Sequence, residues 1–241
     1  MKCIRTSEDI SKLGTILGVW AHPDDETFAM GGIMASAVNN GQKVICITAT
    51  RGEKGVRDQS RWPAEELGNI RTQEFTRAME ILGVTEFYWL DFPDGDCSNI
   101  SDKSAVEQIM GYVEKYRPDS IFTFGTDGLT GHPDHCCMSG WTTQAIKLCD
   151  SKANIYHHAQ THSQYEALLE VDKRFNIFFN IDKPVVCESG DCAICFELND
   201  ELYELKYNAL AAMPSQFEAI LNEFTTTLRP TLGIEAFREV R

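Results

Sequence analysis

The 241-residue chain carries 22 Lys and Arg against 36 Asp and Glu, a formal net charge of −14 at pH 7. A surface that negative repels phosphate backbones and anionic lipids, which excludes nucleic acid and a membrane surface as default partners. Its 43% hydrophobic and 24% charged content is that of a globular protein able to bury a substantial core, read as one domain over residues 1–241.

In chain order, residues 15–21 (TILGVWA) read as a buried strand, and 28–39 as a helix stopped by Asn40-Gly41. Residues 43–50 (KVICITAT) are a second buried strand. The polar segment 51–66, longer than a common connection, leads into a helix over 67–82. A third strand at 86–90, a helix at 104–116 and a fourth strand at 120–125 (SIFTFG) follow, then a loop that opens into a helix at 136–148. Residues 154–158 and 175–181 read as further strands. From residue 201 the tail reads as mostly helical, packed back over the sheet. Strands alternating with helices predict an α/β fold with a mostly parallel sheet, whose ligands gather at the carboxyl ends of the strands.

No run approaches the roughly 18–20 apolar residues of a membrane span. The opening MKCIRTSEDISKLG puts charges where a secretory leader has its apolar stretch. With nine cysteines, an odd number, the composition points to reduced thiols and a cytoplasmic protein. Cys187, Cys192 and Cys195 cluster in sequence but lack a fourth ligand and a second Cys pair, so they read as small side chains on a buried strand.

Two constellations carry chemistry. Directly after the first strand stands Ala21-His22-Pro23-Asp24-Asp25-Glu26, where a dinucleotide-binding domain would place G-x-G-x-x-G. Helix capping explains one of these carboxylates, not three beside an imidazole. Gly31-Gly32 falls inside the helix pattern, suited to close packing rather than to pyrophosphate. After the fourth strand comes Gly131-His132-Pro133-Asp134-His135, on the same rim. Together the clusters supply His22, one Asp and one further His as three ligands with an open fourth position, the pattern of a catalytic zinc. A remaining acid can take a proton from the attacking water. A remaining histidine can stabilise the oxyanion and protonate the leaving nitrogen.

These residues resemble the LmbE-like (PIG-L) family of zinc-dependent N-deacetylases. The matching pieces are AHPDDE at 21–26, Arg-Gly-Glu-Lys-Gly at 51–55, GHPDH at 131–135, Arg71-x-x-Glu74, Phe92-Pro-Asp-Gly95 and Ser215-Gln216. The resemblance implies a Rossmann-like three-layer sandwich and a zinc ion held by His22, Asp25 and His135, a set that would also accept Fe²⁺ or another divalent ion. It implies Asp24 as general base, His132 as the residue that stabilises the oxyanion and assists the leaving amine, and Asp134 as the partner tuning His132. Arg71 and Asp94 match sugar contacts, and Gln216 more weakly. The implied reaction removes an N-acetyl or other N-acyl group from an N-acetylglucosamine-type amino sugar or its conjugate. Relatives are often trimers or hexamers. Thr130 stands where some relatives have a tyrosine, a departure that bears on substrate. Two alternatives are cleavage of a larger amide, as in mycothiol-conjugate amidases, and a non-catalytic zinc- or sugar-binding protein on the same fold.

Overall fold

The uninterrupted apolar runs ILGVW and VICIT leave no polar face, so both strands must be covered on two sides. In the computed structural model, which describes residues 4–224 and 228–240, every residue of these two strands is buried. In chain order the elements are α1 (Ser7–Ile10), β1 (Ile16–Trp20), α2 (Asp25–Asn39), β2 (Val44–Thr48), α3 (Leu67–Leu82), β3 (Glu86–Trp89), α4 (Asp102–Tyr116), β4 (Ser120–Thr123), the single turn α5 (Gly128–Gly131), α6 (Pro133–Leu148), β5 (Asn154–Thr161), α7 (His162–Phe175), β6 (Val186–Cys187), β7 (Ile194–Glu197), α8 (Asp200–Ala211), α9 (Pro214–Phe224), α10 (Arg229–Leu232) and β8 (Ile234–Val240).

One sheet runs in the order β3-β2-β1-β4-β5-β8-β7, with β6 pairing the far end of β5. The pairings from β3 through to β5 are parallel, while β8 runs antiparallel to both β5 and β7. Right-handed crossovers then put α2 and α3 on one face, where they pack with α8, and α4 and α6 on the other. This is the expected α/β sandwich. The chain first builds outward from β1 to β3, then returns to lay β4 on the other side of β1. That reversal opens a crevice at the carboxyl ends of β1 and β4, the place where such folds bind ligands.

Several expectations need correction. Residues 175–181 form no strand: α7 runs to Phe175, ends with Asn176 in a left-handed conformation (φ 50°), and turns. Its start carries a capping box between Thr161 and Gln164, a signal that outweighs the β-branched and aromatic content downstream. The tail is helical only as far as Leu232, after which β8 inserts between β5 and β7. Helices α2 and α6 also start three residues earlier than their apolar periodicity suggests, at Asp25 and Pro133, because the candidate metal-binding residues themselves form the first turns.

The late elements brace the early ones. Helix α2 breaks at Met30 (φ −144°, ψ 23°), and the freed amides of Gly32 and Ile33 each donate to the Glu235 carboxylate of β8 at 2.7 Å. Glu235 also accepts from Lys206 Nζ of α8 at 2.8 Å, an ion pair with both partners buried. The close approach needs glycine: a Cβ on Gly32 would lie 2.3 Å from Leu198 Cδ2. Gly31-Gly32 thus serves contact with α8 and its leading turn more than with the sheet. Of the cysteine cluster, Cys187 lies on β6 and Cys195 on β7, with Cys192 buried between them. No metal-binding group forms there among the described residues. No described helix is long and apolar enough to cross a membrane.

Candidate metal centre and active site

The β1–α2 turn and the β4–α6 loop bring the two constellations face to face across the crevice. His22 follows β1, and Asp25 opens α2 and is fastened by the backbone amide of His22, which donates to Asp25 Oδ2 at 2.7 Å. On the other side His132 caps α6, with Pro133 at the first helical position, where its missing N–H costs nothing. His135 lies in the same first turn, stacked on Phe124 with ring centroids 4.0 Å apart and planes 9° apart.

The two imidazoles meet with their lone pairs. His135 Nδ1 lies 2.8 Å from the Gly128 carbonyl, which can only accept, so Nδ1 carries the proton and Nε2 is left basic. Gly128 has φ +63°, and a Cβ there would lie 2.9 Å from that of His135, so only glycine presents this carbonyl. His22 Nε2 faces two carboxylates, Asp94 Oδ1 at 3.1 Å and Asp134 Oδ2 at 3.3 Å, so it too is the donor and leaves Nδ1 basic. His22 Nδ1 and His135 Nε2 are 3.0 Å apart. The Asp25 carboxylate straddles them, Oδ2 at 3.5 Å from the first and Oδ1 at 3.5 Å from the second. Bonds of about 2.0–2.1 Å in a tetrahedron hold neighbouring ligand atoms roughly 3.3 Å apart. Two imidazoles, both neutral once an ion displaces the Nδ1 proton of His22, and a carboxylate at these separations form a seat for a cation, and the donor set fits Zn²⁺ or a similar divalent ion.

Electrostatics follow from that crowding. Burial works against charge on His22, yet Asp134, Asp25 and Asp94 push its pKa well up. His135, also buried, falls to about 4 despite Asp25. Burial lifts Asp24 to about 6, against the pull of Arg71 and with the help of Asp25. His132 is lowered by burial and by His22. A half-buried carboxylate that titrates near neutrality, next to a metal seat, is equipped to accept a proton.

The remaining candidates converge on this centre, and each of them contacts protein groups around it. The Asp134 carboxylate does not touch His132. It accepts from Gly95 N at 2.7 Å, Cys97 N at 3.1 Å and His22, because the first turn of α6 points it under the metal seat. What His132 receives is the Asp134 backbone N–H, at 3.2 Å on Nδ1. Asp94, 4% exposed, likewise holds His22 and accepts from Lys54 N at 2.7 Å. Arg71, also 4% exposed, donates to Asp24 Oδ2 (3.0 Å), Pro23 O (3.2 Å) and Gly52 O (2.9 Å), fixing the turn that carries Asp24. Gln216 fastens the neighbouring loop through Gly55 O at 2.9 Å, and Ser215 binds Glu74.

The family model for PIG-L, GlcNAc-PI de-N-acetylase, matches residues 17–146, which hold both constellations. The chain belongs to the PIG-L family. As a PIG-L member it is a hydrolase acting on amide C–N bonds, and the family's deacetylases are metal-dependent; among the described residues, His22 with His132 and His135, and His22 with Asp94 and Asp134, form groups that could hold a metal ion. Among relatives, it is 33% identical to the 1D-myo-inositol 2-acetamido-2-deoxy-alpha-D-glucopyranoside deacetylase of Corynebacterium efficiens, over 86% of this chain and 73% of that protein. In fold it is similar to the N,N'-diacetylchitobiose deacetylase of Pyrococcus horikoshii, with a TM-score of 0.66, 23% identity and coverage of 96% of this chain and 85% of that one. The zinc-inhibited form of teicoplanin deacetylase Orf2 is similar at a TM-score of 0.67 and 13% identity, over 94% and 98% of the two chains.

Sequence reasoning missed Phe124, Gly128 and Glu53 in this PIG-L site. Glu53 accepts from Asp94 N at 2.9 Å and thereby holds the loop that positions Asp94. Its sequence signals were the unusual length of segment 51–66 and the Arg-Gly-Glu-Lys-Gly match at 51–55. Phe124 ends an apolar run, where nothing separates a stacking ring from a core one.

Proposed function

We propose that this enzyme removes an N-acetyl or related N-acyl group from an N-acetylglucosamine-type amino sugar or its conjugate, using zinc held by His22, Asp25 and His135. The observation that carries it is the pair of basic imidazole nitrogens 3.0 Å apart, straddled by Asp25 and flanked by Asp24. A bound zinc ion would supply Lewis acidity and a water with a pKa near ~7. Asp24, held by Arg71 and lifted to about 6 by burial, would accept a proton from the attacking water. His132 accepts the Asp134 amide on Nδ1, so its proton sits on Nε2, a donor for the carbonyl oxygen as negative charge develops. Because His132 is held neutral by burial, the proton for the leaving nitrogen comes from Asp24 rather than from His132. Asp94 and Asp134 orient His22 and keep its Nδ1 free for metal. The sugar end of the substrate rests on the family membership and on the named substrate of the Corynebacterium efficiens relative.

The deciding experiment is free-amine release from a panel of N-acetylated amino sugars and simple amides, with metal-stripped and zinc-reloaded protein side by side. Release that appears on zinc addition and favours amino sugars is expected. A zinc-loaded protein that hydrolyses none of them defeats the reading in favour of a binding protein. Residence in the cytoplasm, action as one domain over residues 1–241 and assembly into trimers or hexamers belong to the same proposal, supported by composition and resemblance.

A further inference from the structure

A cavity of about 180 Å³ opens beside the metal seat, with Asp24, Asp25 and His135 in its wall. Apart from Arg57, Thr130 and Gln160, its other walls are apolar and come largely from late elements of the chain: Leu168 and Val171 of α7, Ile220 of α9 and Leu232 of α10 among them. Phe28 and Phe178 close it further. An acetyl group needs room for one methyl. A cavity of roughly 150 Å³ lined by Leu, Ile and Phe holds a benzene molecule, so this one holds about six carbons. Against its Leu, Ile, Val and Phe walls sugar hydroxyls would lose their hydrogen bonds, a cost that disfavours the sugar there.

The placement says which end of an amide substrate enters. His132, Asp94 and Arg71 do not line the cavity, whereas the candidate base and two candidate metal ligands do. It therefore extends from the carbonyl carbon on the acyl side. Gln160, 1% exposed and with its Oε1 unpartnered, adds one acceptor to the wall for an N–H or O–H of the acylated substrate. Neither polar entrance nor apolar depth is needed by an enzyme restricted to acetyl groups.

We infer that the enzyme prefers an N-acyl group longer than acetyl, a chain of about four to eight carbons seated in this cavity. The inference rests on the N-acyl hydrolase reading. In the reaction the C–N bond breaks, the water oxygen stays on the released medium-chain carboxylate, and the amine leaves with a proton. No further reactant is required. Each buried methylene is worth roughly a factor of four.

The test measures kcat/KM of the zinc-loaded enzyme on N-acetyl-, N-butanoyl- and N-hexanoyl-glucosamine, and on the octyl glycoside of N-acetylglucosamine. The expected result is a rise of at least tenfold from acetyl to hexanoyl, with no comparable gain from the octyl glycoside. Val171→Phe, which fills the cavity, abolishes the rise while retaining acetyl hydrolysis. Ile177→Trp, at the partly exposed rim, does the same should the buried substitution prevent folding. Independently of turnover, hexanamide binds the metal-stripped protein at least tenfold more tightly than acetamide. Hydrolysis that is fastest on acetyl overturns the acyl pocket but leaves the hydrolase reading intact. A gain from the octyl glycoside alone assigns the cavity to the aglycone and also overturns it. Hydrolysis of no member defeats the underlying reading instead.

Discussion

His22 Nδ1 and His135 Nε2 lie 3.0 Å apart although the opposite nitrogen of each ring is committed as a donor. At that distance the two nitrogens share either a proton on His22 Nδ1, which the surrounding carboxylates favour, or a cation that displaces it. The Asp25 carboxylate, 3.5 Å from each, supplies the charge that makes a divalent ion the better occupant. His135→Ala is expected to lower metal content from about one ion per chain to below a tenth, read by elemental analysis after dialysis. Full loading of the variant removes His135 from the ligand set.

Asp134 shows how far the centre depends on residues behind the ligands. Its carboxylate takes two backbone amides as well as His22, so Asp134→Asn keeps the shape but turns an acceptor into a partial donor. Metal affinity should fall by about 10–100-fold, the usual effect of removing such a partner. A competition titration with a chromogenic chelator measures it. An unchanged affinity combined with lost turnover would return Asp134 to a role beside His132.

Asp24 and His132 separate by what they leave intact. Asp24→Asn should retain its metal and lose about 10²–10⁴ in kcat, the range for a positioned acid–base group. His132→Ala should mainly lower kcat, because a donor to developing charge acts in the transition state. Steady-state kinetics on the best substrate decide both. A change confined to KM makes His132 a substrate-binding residue.

Glu235→Gln addresses the frame rather than the chemistry. It strands the fully buried Lys206 ammonium and weakens the clasp on Gly32 and Ile33. A loss of about 3–5 kcal/mol is expected in urea unfolding, as for a buried pair deprived of one partner. A loss below about 1 kcal/mol would show that α2 holds its break without β8.

Much of the candidate site was legible because its residues sit next to one another in the chain. HPDDE and HPDH are too rich in acid and imidazole to be turns alone, and each follows an apolar strand, so the rim could be placed before any contact was known. Register and partners were not legible. The same three carboxylates at 24–26 divide in the fold into an Asp24 held by Arg71, an Asp25 beside the two imidazoles and a Glu26 that is 0% exposed. Local sequence carries no record of a guanidinium 47 residues away.

By itself the sequence determined the central parallel strands, the helices between them and the residue types of the metal seat, since apolar periodicity and adjacent ligands are local properties. Tertiary structure alone decided that the Asp134 carboxylate contacts His22 and not His132, that residues 175–181 turn instead of pairing, and that the last seven described residues, Ile234–Val240, form a strand inside the sheet. Each of those outcomes depends on competition for a partner distant in the chain. A backbone segment or a carboxylate takes whichever partner the packed fold leaves nearest, and only the fold fixes which one that is.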